Sequence, residues 1–579
     1  MISHQLMFIF SPYAYTLAMA GSLFITIGCF LKLLLFLLLN NCSFTLTLST
    51  FLFSQTSLDA SLFLTPISCL FSAAVAFIST TVFFFTTLYF HQWTKISYFC
   101  WFTLAFVLCM LVLINFNDFF FVILGWDGLG VSSYFLILYF QSPSRVYSGT
   151  FTILINRLGD CFLVIFIIFW WYSTVNTHFI IESNTSDTFI ALLLFIALST
   201  KSALFPFSPW LPAAMAAPTP ISSLVHSSTL VTAGLFLIIQ NTSILANSSL
   251  CYFILVTSIF TSLYAGITAL LESDLKKIVA LSTLSHLGFI GMAISLNLPY
   301  LAFFHLLTHA FFKSSLFISV GVFIISHGHY QDSRRVTSTY YYNPYFRSVV
   351  LVSEANLFGL PFLSGFYSKD LILELSQYSS MGSALSCILY VNVLLTFSYT
   401  LRILLSLSEK NNIPSFSLSS NSLSYSTAPF ILFLFLLSLV SLVFGLFFSK
   451  LIIQSEVSIP PFLKIAPTIL LLCLSFLFFL SSSFFVVSKS TALGYFISSI
   501  FFLSPVWTNF SSRLFIFLSQ KVLFIEESFI KSVLIHLVQL IFKILSNLVS
   551  YAYVRVILSS SKVYWVIFVL LLVCIPTLI

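Results

Sequence analysis

Runs of about twenty apolar residues recur from one end of the chain to the other, and that is the length an α-helix needs to cross a bilayer. In lipid every backbone N–H and C=O must find its partner inside the protein, so runs of this kind span as helices. Of the 579 residues 59% are hydrophobic and only 7% charged, with 71 phenylalanines. No water-soluble core disposes of that much apolar surface. The expected class is an all-α polytopic membrane protein with about fifteen transmembrane helices. The expected spans are 17–39, 60–90, 97–115, 117–140, 149–171, 188–206, 220–240, 249–271, 278–296, 299–325, 346–365, 380–405, 427–448, 465–487 and 562–579.

The few charges agree with that count. Lys95, Arg145, Lys276 with Lys277, Arg334 with Arg335 and Arg347, and Arg402 with Lys410 all follow even-numbered spans. The connections after spans 1, 3, 5, 7 and 9 hold Asp59, Asp118, Glu182 and Asp187 but no lysine or arginine. By the positive-inside bias, the even loops and the N-terminus face the cytoplasm or matrix. The net charge of +7 therefore reports topology; the longest basic runs are pairs, too short for a nucleic-acid footprint. Ten scattered cysteines, without CxxC or CxH spacing, predict neither a disulfide framework nor a cluster site. The opening residues show neither a charged-then-apolar signal pattern nor an Arg-rich amphipathic one, so no signal or transit peptide is expected. Such a chain is expected to be made where it is inserted, in a bacterium or inside an organelle.

One stretch, Ser199 to Thr232, breaks the apolar pattern. It carries Lys201, then Pro206, Pro209, Pro212, Pro218 and Pro220, then His226. Proline removes a backbone donor and clashes with the preceding turn, so one helix must end here and another restart. Broken helices survive at membrane depth only where protein or a water-filled cavity satisfies the freed groups. A lysine there costs about 2.5–3.5 kcal/mol on insertion scales, which points to a function that offsets it.

Four other places put ionisable groups inside spans. Asp127 lies in Gly-Trp-Asp-Gly; Arg157 and Asp160 stand three apart and share a helix face; His305, His309 and Lys313 follow at i, i+4 steps; Lys369 and Asp370 come just after the break at Pro361. Each has a blander reading. Arg157 and Asp160 would serve as a structural ion pair, His226 as a hydrogen-bonded core histidine, and Lys369 as a snorkelling side chain. Lys201 and Lys313, far from span ends, resist such readings. His305 and His309 have the spacing of a zinc pair, but Leu-Leu-Thr between them supplies no glutamate, so a metalloprotease site is not expected. No phosphate loop, haem-attachment motif or nucleophilic triad is present, and the chain reads as redox-inert with no bound cofactor. What remains is a row of lysines and histidines with carboxylates beside them. Desolvation loosens a lysine's hold on its proton and a nearby carboxylate tightens it, so a shifting carboxylate makes the lysine release or take a proton. Histidines suit the hand-over near neutral pH. The pattern therefore predicts a switchable proton relay.

After the fourteenth span the texture changes. Residues 505–559 carry Arg513, Lys521, Glu526, Glu527, Lys531, Lys543 and Arg555, and Ser532, His536, Gln539, Lys543, Asn547 and Ser550 recur every three or four residues. One reading is a long lateral amphipathic helix on the inner membrane surface, about 75 Å if continuous. The other is two poor transmembrane helices.

GWDGLGVSSY, NRLGD, KSALFPFSPWLPAAMAAPTPISSLVHSST, DLKKIVALSTLSHLG, LAFFHLLTHAFFKSSLF and GLPFLSGFYSKD, in this order across residues 100–405, resemble the antiporter-like subunits of respiratory complex I. The resemblance implies two inverted five-helix repeats, each with a broken helix, giving domains at 1–115, 116–271 and 272–410, then helices at 411–504, the lateral helix at 505–559 and an anchor at 560–579. It implies Asp127 as the acid of Lys201, Arg157 and Asp160 as modulators, His226, His305 and His309 linking Lys201 to Lys313, and Lys369 as the terminal lysine beside Asp370. It further implies membrane partners, above all the sister chain 4, which usually carries glutamate where Lys369 stands; FMN, iron–sulfur clusters and ubiquinone belong to other subunits. The expected location is the mitochondrial inner membrane, or a bacterial plasma membrane. A cation/proton antiporter subunit of the multisubunit type and a non-pumping scaffold share these motifs. Two departures stand out. The family has sixteen spans and this chain lacks the first by this count. It also usually has glutamate where Asp127 stands, and the shorter side chain is expected to reach Lys201 through Arg157 or a water lodged beside Gly125 and Gly128.

Overall fold

The computed structural model describes residues 11–38, 44–53, 56–90, 96–176, 184–245, 248–328, 330–334, 344–377, 382–408, 428–452, 503–524 and 531–555. Among them the chain is helical except for one hairpin, and nine of the described helices are long and apolar enough to cross a membrane. The expected spans 465–487 and 562–579 lie outside the described residues.

Helix α1 (Ser11–Leu38) leads to the hairpin of β1 (Phe44–Phe53) and β2 (Thr56–Leu64), which pair antiparallel from Phe44 opposite Leu64 to Phe53 opposite Thr56. Its sequence, TLTLS on one strand, alternates hydroxyl and aliphatic side chains with period two and favours a strand. This corrects the expected second span. It begins at Pro66 rather than residue 60, because Thr65 and Ser68 form a reciprocal capping box with proline in the first turn.

Helices α2 (Pro66–Tyr89), α3 (Ile96–Asn115), α4 (Phe119–Ile137) and α5 (Pro143–Asn176) follow. Helix α6 (Asn184–Lys201) stops at the lysine, the short α7 (Trp210–Ala214) interrupts the proline segment, and α8 (Thr219–Gln240) restarts it. Then come α9 (Ser248–Ala269), α10 (Leu275–Ser295) and α11 (Pro299–Ser326). The expected span 346–365 is α12 (Pro344–Phe358) and the break after it, and the expected connection that follows is a second half-helix, α13 (Ser364–Gln377), before α14 (Gly382–Ser408) and α15 (Ala428–Ile452). Gly359 adopts φ +88, a left-handed end that glycine reaches without strain. Gly365 lets α13 approach α12 so closely that a Cβ would sit 1.8 Å from the Asn356 carbonyl oxygen.

Helices α8 and α10 are buried all round and α11 nearly so, whereas α3, α4, α5, α9 and α14 each show a broad face. Helix α11 packs against α10, α12, α13, α15 and α8 and forms the hub. The loop cations that report topology also close helix ends. Arg145 Nε donates to the Ala216 carbonyl at 3.1 Å and Lys276 Nζ to that of Ala217 at 3.2 Å, while Arg402 donates to those of Ala269 and Leu270. Carbonyls left over at a helix end carry partial negative charge, so a cation there satisfies both a hydrogen bond and a dipole.

Residues 505–579 form a second compact unit, apart from 1–504. Its described helices are α16 (Leu503–Phe524) and α17 (Lys531–Arg555). Residues 525–530 lie outside the described residues, as does the continuity of one long helix. On α17, His536, Gln539 and Lys543 are exposed, and so are Leu537, Leu540 and Phe542.

Candidate functional site

Lys201 is fully buried. Its ammonium donates to the Trp126 carbonyl and stands 3.8 Å from the centre of the Trp126 ring. A charge-assisted hydrogen bond contributes about 1.5–3 kcal/mol and a desolvated cation–π contact about 2 kcal/mol. These offset the roughly 2.5–3.5 kcal/mol that a lysine costs at membrane depth. The same tryptophan turns its indole N–H to Asp160 Oδ1 at 2.8 Å, so α4 joins the lysine of α6 to the carboxylate of α5. Arg157 pairs with Asp160 at 3.2 Å and with Asp127 at 3.4 Å. Of the two acids, Asp160 is the one that meets Trp126 and is the less exposed.

Asp127 meets Arg157, and Arg157 leads to Asp160 and through it to the Trp126 indole, whose own carbonyl takes Lys201. The two glycines beside Asp127 are packed closely on α3: a Cβ on Gly125 would meet the Cys109 carbonyl at 2.9 Å, and one on Gly128 the Cys109 Sγ at 2.5 Å. They exist to let α3 and α4 touch.

Ala203, just past Lys201, takes φ 53, and Phe362 in the second break takes φ 70. Each costs an ordinary residue about 1–3 kcal/mol, a strain that clusters at functional sites. Beyond the first break α8 opens with a π-helical stretch, Ser222–Thr229, that carries His226. Hydroxyls support it; Ser228 and Thr229 both donate to the Leu224 carbonyl, at 3.0 and 2.7 Å. The His226 ring packs edge-on to Trp210 at 6.1 Å, and neither ring nitrogen has a hydrogen-bond partner among the described residues. The Trp210 N–H is committed to the Thr200 carbonyl at 2.9 Å, one residue from Lys201. This π stretch packs on α11 and so lies between the two halves of the site.

In the second half Lys313, His305 and His309 are fully buried. Lys313 Nζ donates to Ser282 Oγ on α10 at 2.5 Å. His305 pairs with His286 at 3.2 Å through one nitrogen and with Ser368 Oγ at 2.9 Å through the other. The His309 ring lies 5.6 Å from that of His286. Lys369 does not snorkel: it is 3% exposed, donates to the Leu357 carbonyl at 2.5 Å and faces the Phe289 ring at 5.6 Å. Asp370 follows it on α13, on one face with Glu374. Among the described residues no group of three His, Cys, Asp or Glu side chains is arranged to hold a metal ion.

Residues 117–396 match the family described as NADH:quinone oxidoreductase/Mrp antiporter, TM. NADH-ubiquinone oxidoreductase chain 5 of Lumbricus terrestris is 38% identical over 83% of this chain and 85% of that one. The chain belongs to the NADH-ubiquinone oxidoreductase chain 5 family. The Locusta migratoria and Caenorhabditis elegans proteins of that name are each 38% identical, over 77% and 66% of this chain and 80% and 70% of theirs. Among solved structures, the Mrp complex from Dietzia sp. DQ12-45-1b has a similar fold, with TM-score 0.70 at 22% identity over 86% of this chain; the match spans 60% of that chain's length. The membrane-bound sulfane sulfur reductase, an archaeal respiratory membrane complex, reaches 0.64 at 19% identity over 77% of this chain and 95% of that one.

For a chain 5 family member, four neighbours of the site escaped the sequence reading. His286 and Ser282 lie one helical turn apart on α10 inside LSTLSHLG, a motif quoted for its likeness rather than its chemistry. Trp126 was passed over beside Asp127. Glu354 of α12, 1% exposed, sits in Ser-Glu-Ala-Asn with no second charge near it in sequence. The signal that could have found it was the one used elsewhere, an acid inside an apolar run.

Proposed function

We propose that the chain translocates protons as a membrane subunit of respiratory complex I, by a relay of lysines, histidines and carboxylates driven by quinone reduction in other subunits. The observation that carries this is the burial of Lys201, Lys313 and Lys369 at 0%, 0% and 3% exposure, each with a polar acceptor. A structural role would need no such costly groups, since a buried cation is seldom better than a well-packed apolar side chain.

In this reading a proton enters at one end of the polar row and moves by short transfers. Lys201 takes or yields a proton as Arg157 shifts between Asp127 and Asp160, which changes the negative charge that Lys201 feels through Trp126. His226, in the pliable π stretch, carries the change toward α11. His286, His305 and His309 pass a proton between Lys313 and Lys369, and Asp370 leads away from the terminal lysine. NADH oxidation, FMN, iron–sulfur clusters and ubiquinone are assigned to partner subunits, with a chain 4-like antiporter subunit as neighbour and the mitochondrial inner membrane as location. The match of 83% of the chain to a chain 5 protein favours this over an antiporter subunit of the Mrp type, whose structural relative is matched over 60% of its length.

The test is purification of the tagged chain from its own membranes. Flavin and iron–sulfur subunits are expected to come with it, together with NADH-driven proton transport in vesicles. Recovery with sodium/proton antiport subunits and no flavin would overturn the assignment.

A further inference from the structure

Glu354 is the most buried carboxylate among the described residues. Neither of its oxygens has a hydrogen-bond partner there. A structural carboxylate is held by donors, and one left bare in an apolar interior is stable only if a cation opposes it or a proton neutralises it. The buried cation on the helix against which α12 packs is Lys313 of α11. The two side chains are not in ion-pair contact, because Lys313 is turned to Ser282 on the opposite neighbour, α10. Its four-carbon stem is flexible enough for Nζ to leave that hydroxyl for α12. One turn further along α12 the Leu357 carbonyl takes Lys369 Nζ, so the helix that carries Glu354 also holds the terminal lysine.

We infer that Glu354 is a proton-binding residue of the relay, the carboxylate that trades a proton with Lys313. One N–H bond of the Lys313 ammonium breaks, its electron pair stays on nitrogen, and an O–H bond forms on Glu354; the pair passes from ammonium and carboxylate to amine and acid, and no net charge remains among the helices. The reverse transfer resets it. The first half of the site holds the same pairing with the signs exchanged: the broken helix α6 ends on the lysine and its neighbours α4 and α5 bring the acids, whereas the broken helix α12 brings the acid and α11 the lysine.

The inference rests on the relay reading above, so the experiment runs Glu354→Gln beside Lys201→Met in the assembled complex, with quinone reduction and proton uptake measured separately in sealed vesicles. Glu354→Gln keeps the side-chain volume and removes the proton site; coupled proton uptake should slow about tenfold or more. It should also remove a carboxylic C=O band from the redox-difference infrared spectrum, which a purely structural carboxylate would leave in place. Normal uptake in Glu354→Gln with slow uptake in Lys201→Met overturns this inference alone. Normal uptake in both overturns the relay reading and this inference with it. Should Glu354→Gln not assemble, Glu354→Asp takes its place, with the carboxyl withdrawn by about 1.5 Å; slowed uptake supports the role and unchanged uptake refutes it.

Discussion

Replacing Lys201 with methionine tests the relay at the residue on which most of the first half converges. The substitution removes a burial cost of about 2.5–3.5 kcal/mol. It also removes a charge-assisted hydrogen bond of about 1.5–3 kcal/mol and a cation–π contact of about 2 kcal/mol. The terms nearly cancel, and the expected loss of stability is about 1 kcal/mol. Methionine is unbranched and nearly as long as lysine, so it leaves little void, whereas alanine would add a cavity cost of about 2–5 kcal/mol at this fully buried position. The complex should therefore assemble, which native gels would show. Proton transfer should not survive, because the group that binds the proton is gone; a drop of about a hundredfold in coupled proton uptake per assembled complex is expected. The assay is NADH-driven acidification or alkalinisation of sealed membrane vesicles, normalised to complex content. An assembled Lys201→Met complex that pumps at the normal rate would refute the mechanism, and failure to assemble would refute the near-cancellation of energies.

Asp160→Asn should impair pumping more than Asp127→Asn, because Asp160 is the less exposed of the two, at 15% against 39%, and is tied to Trp126; the reverse order in the same vesicle assay would show that the polar route bypasses Arg157. Gly365→Ala should destabilise the second broken helix by about 3 kcal/mol or more, since its Cβ would meet a backbone oxygen at 1.8 Å. Thermal melting of the purified complex measures this, and an unchanged melting temperature would mean that α12 and α13 do not approach as described. Ending the chain after Ser504 should loosen the neighbouring membrane subunits, because the second unit exposes Leu537, Leu540 and Phe542 on a helix that also carries charge. A fully populated complex on native gels after that truncation would show that these residues bind nothing.

The sequence by itself determined the membrane-spanning class, the break after Lys201 and the list of buried bases, because each is a local statement. Apolar run length is set by bilayer thickness, proline acts on its own turn, and a charge inside an apolar run is rare enough to notice. It also pointed to the second break, through Gly359 and Pro361, though it left the half-helix after that break as a connection. The hairpin at Phe44–Leu64 was missed although its alternation was plain, because a short run of period two competes poorly with long apolar stretches on either side. Only the tertiary structure decided which groups surround each lysine. Asp127 stood out in the sequence, yet α5 also brings Asp160 to Trp126, and Trp126 meets Lys201 with both its carbonyl and its ring. Glu354 and Lys313 are separated by forty residues of sequence, and it is the packing of α12 on α11 that puts them on neighbouring helices. Which buried charge faces which depends on the packing of α12 on α11, and an electrostatic partner is a property of distance through space, which spacing along the chain does not encode across a broken helix.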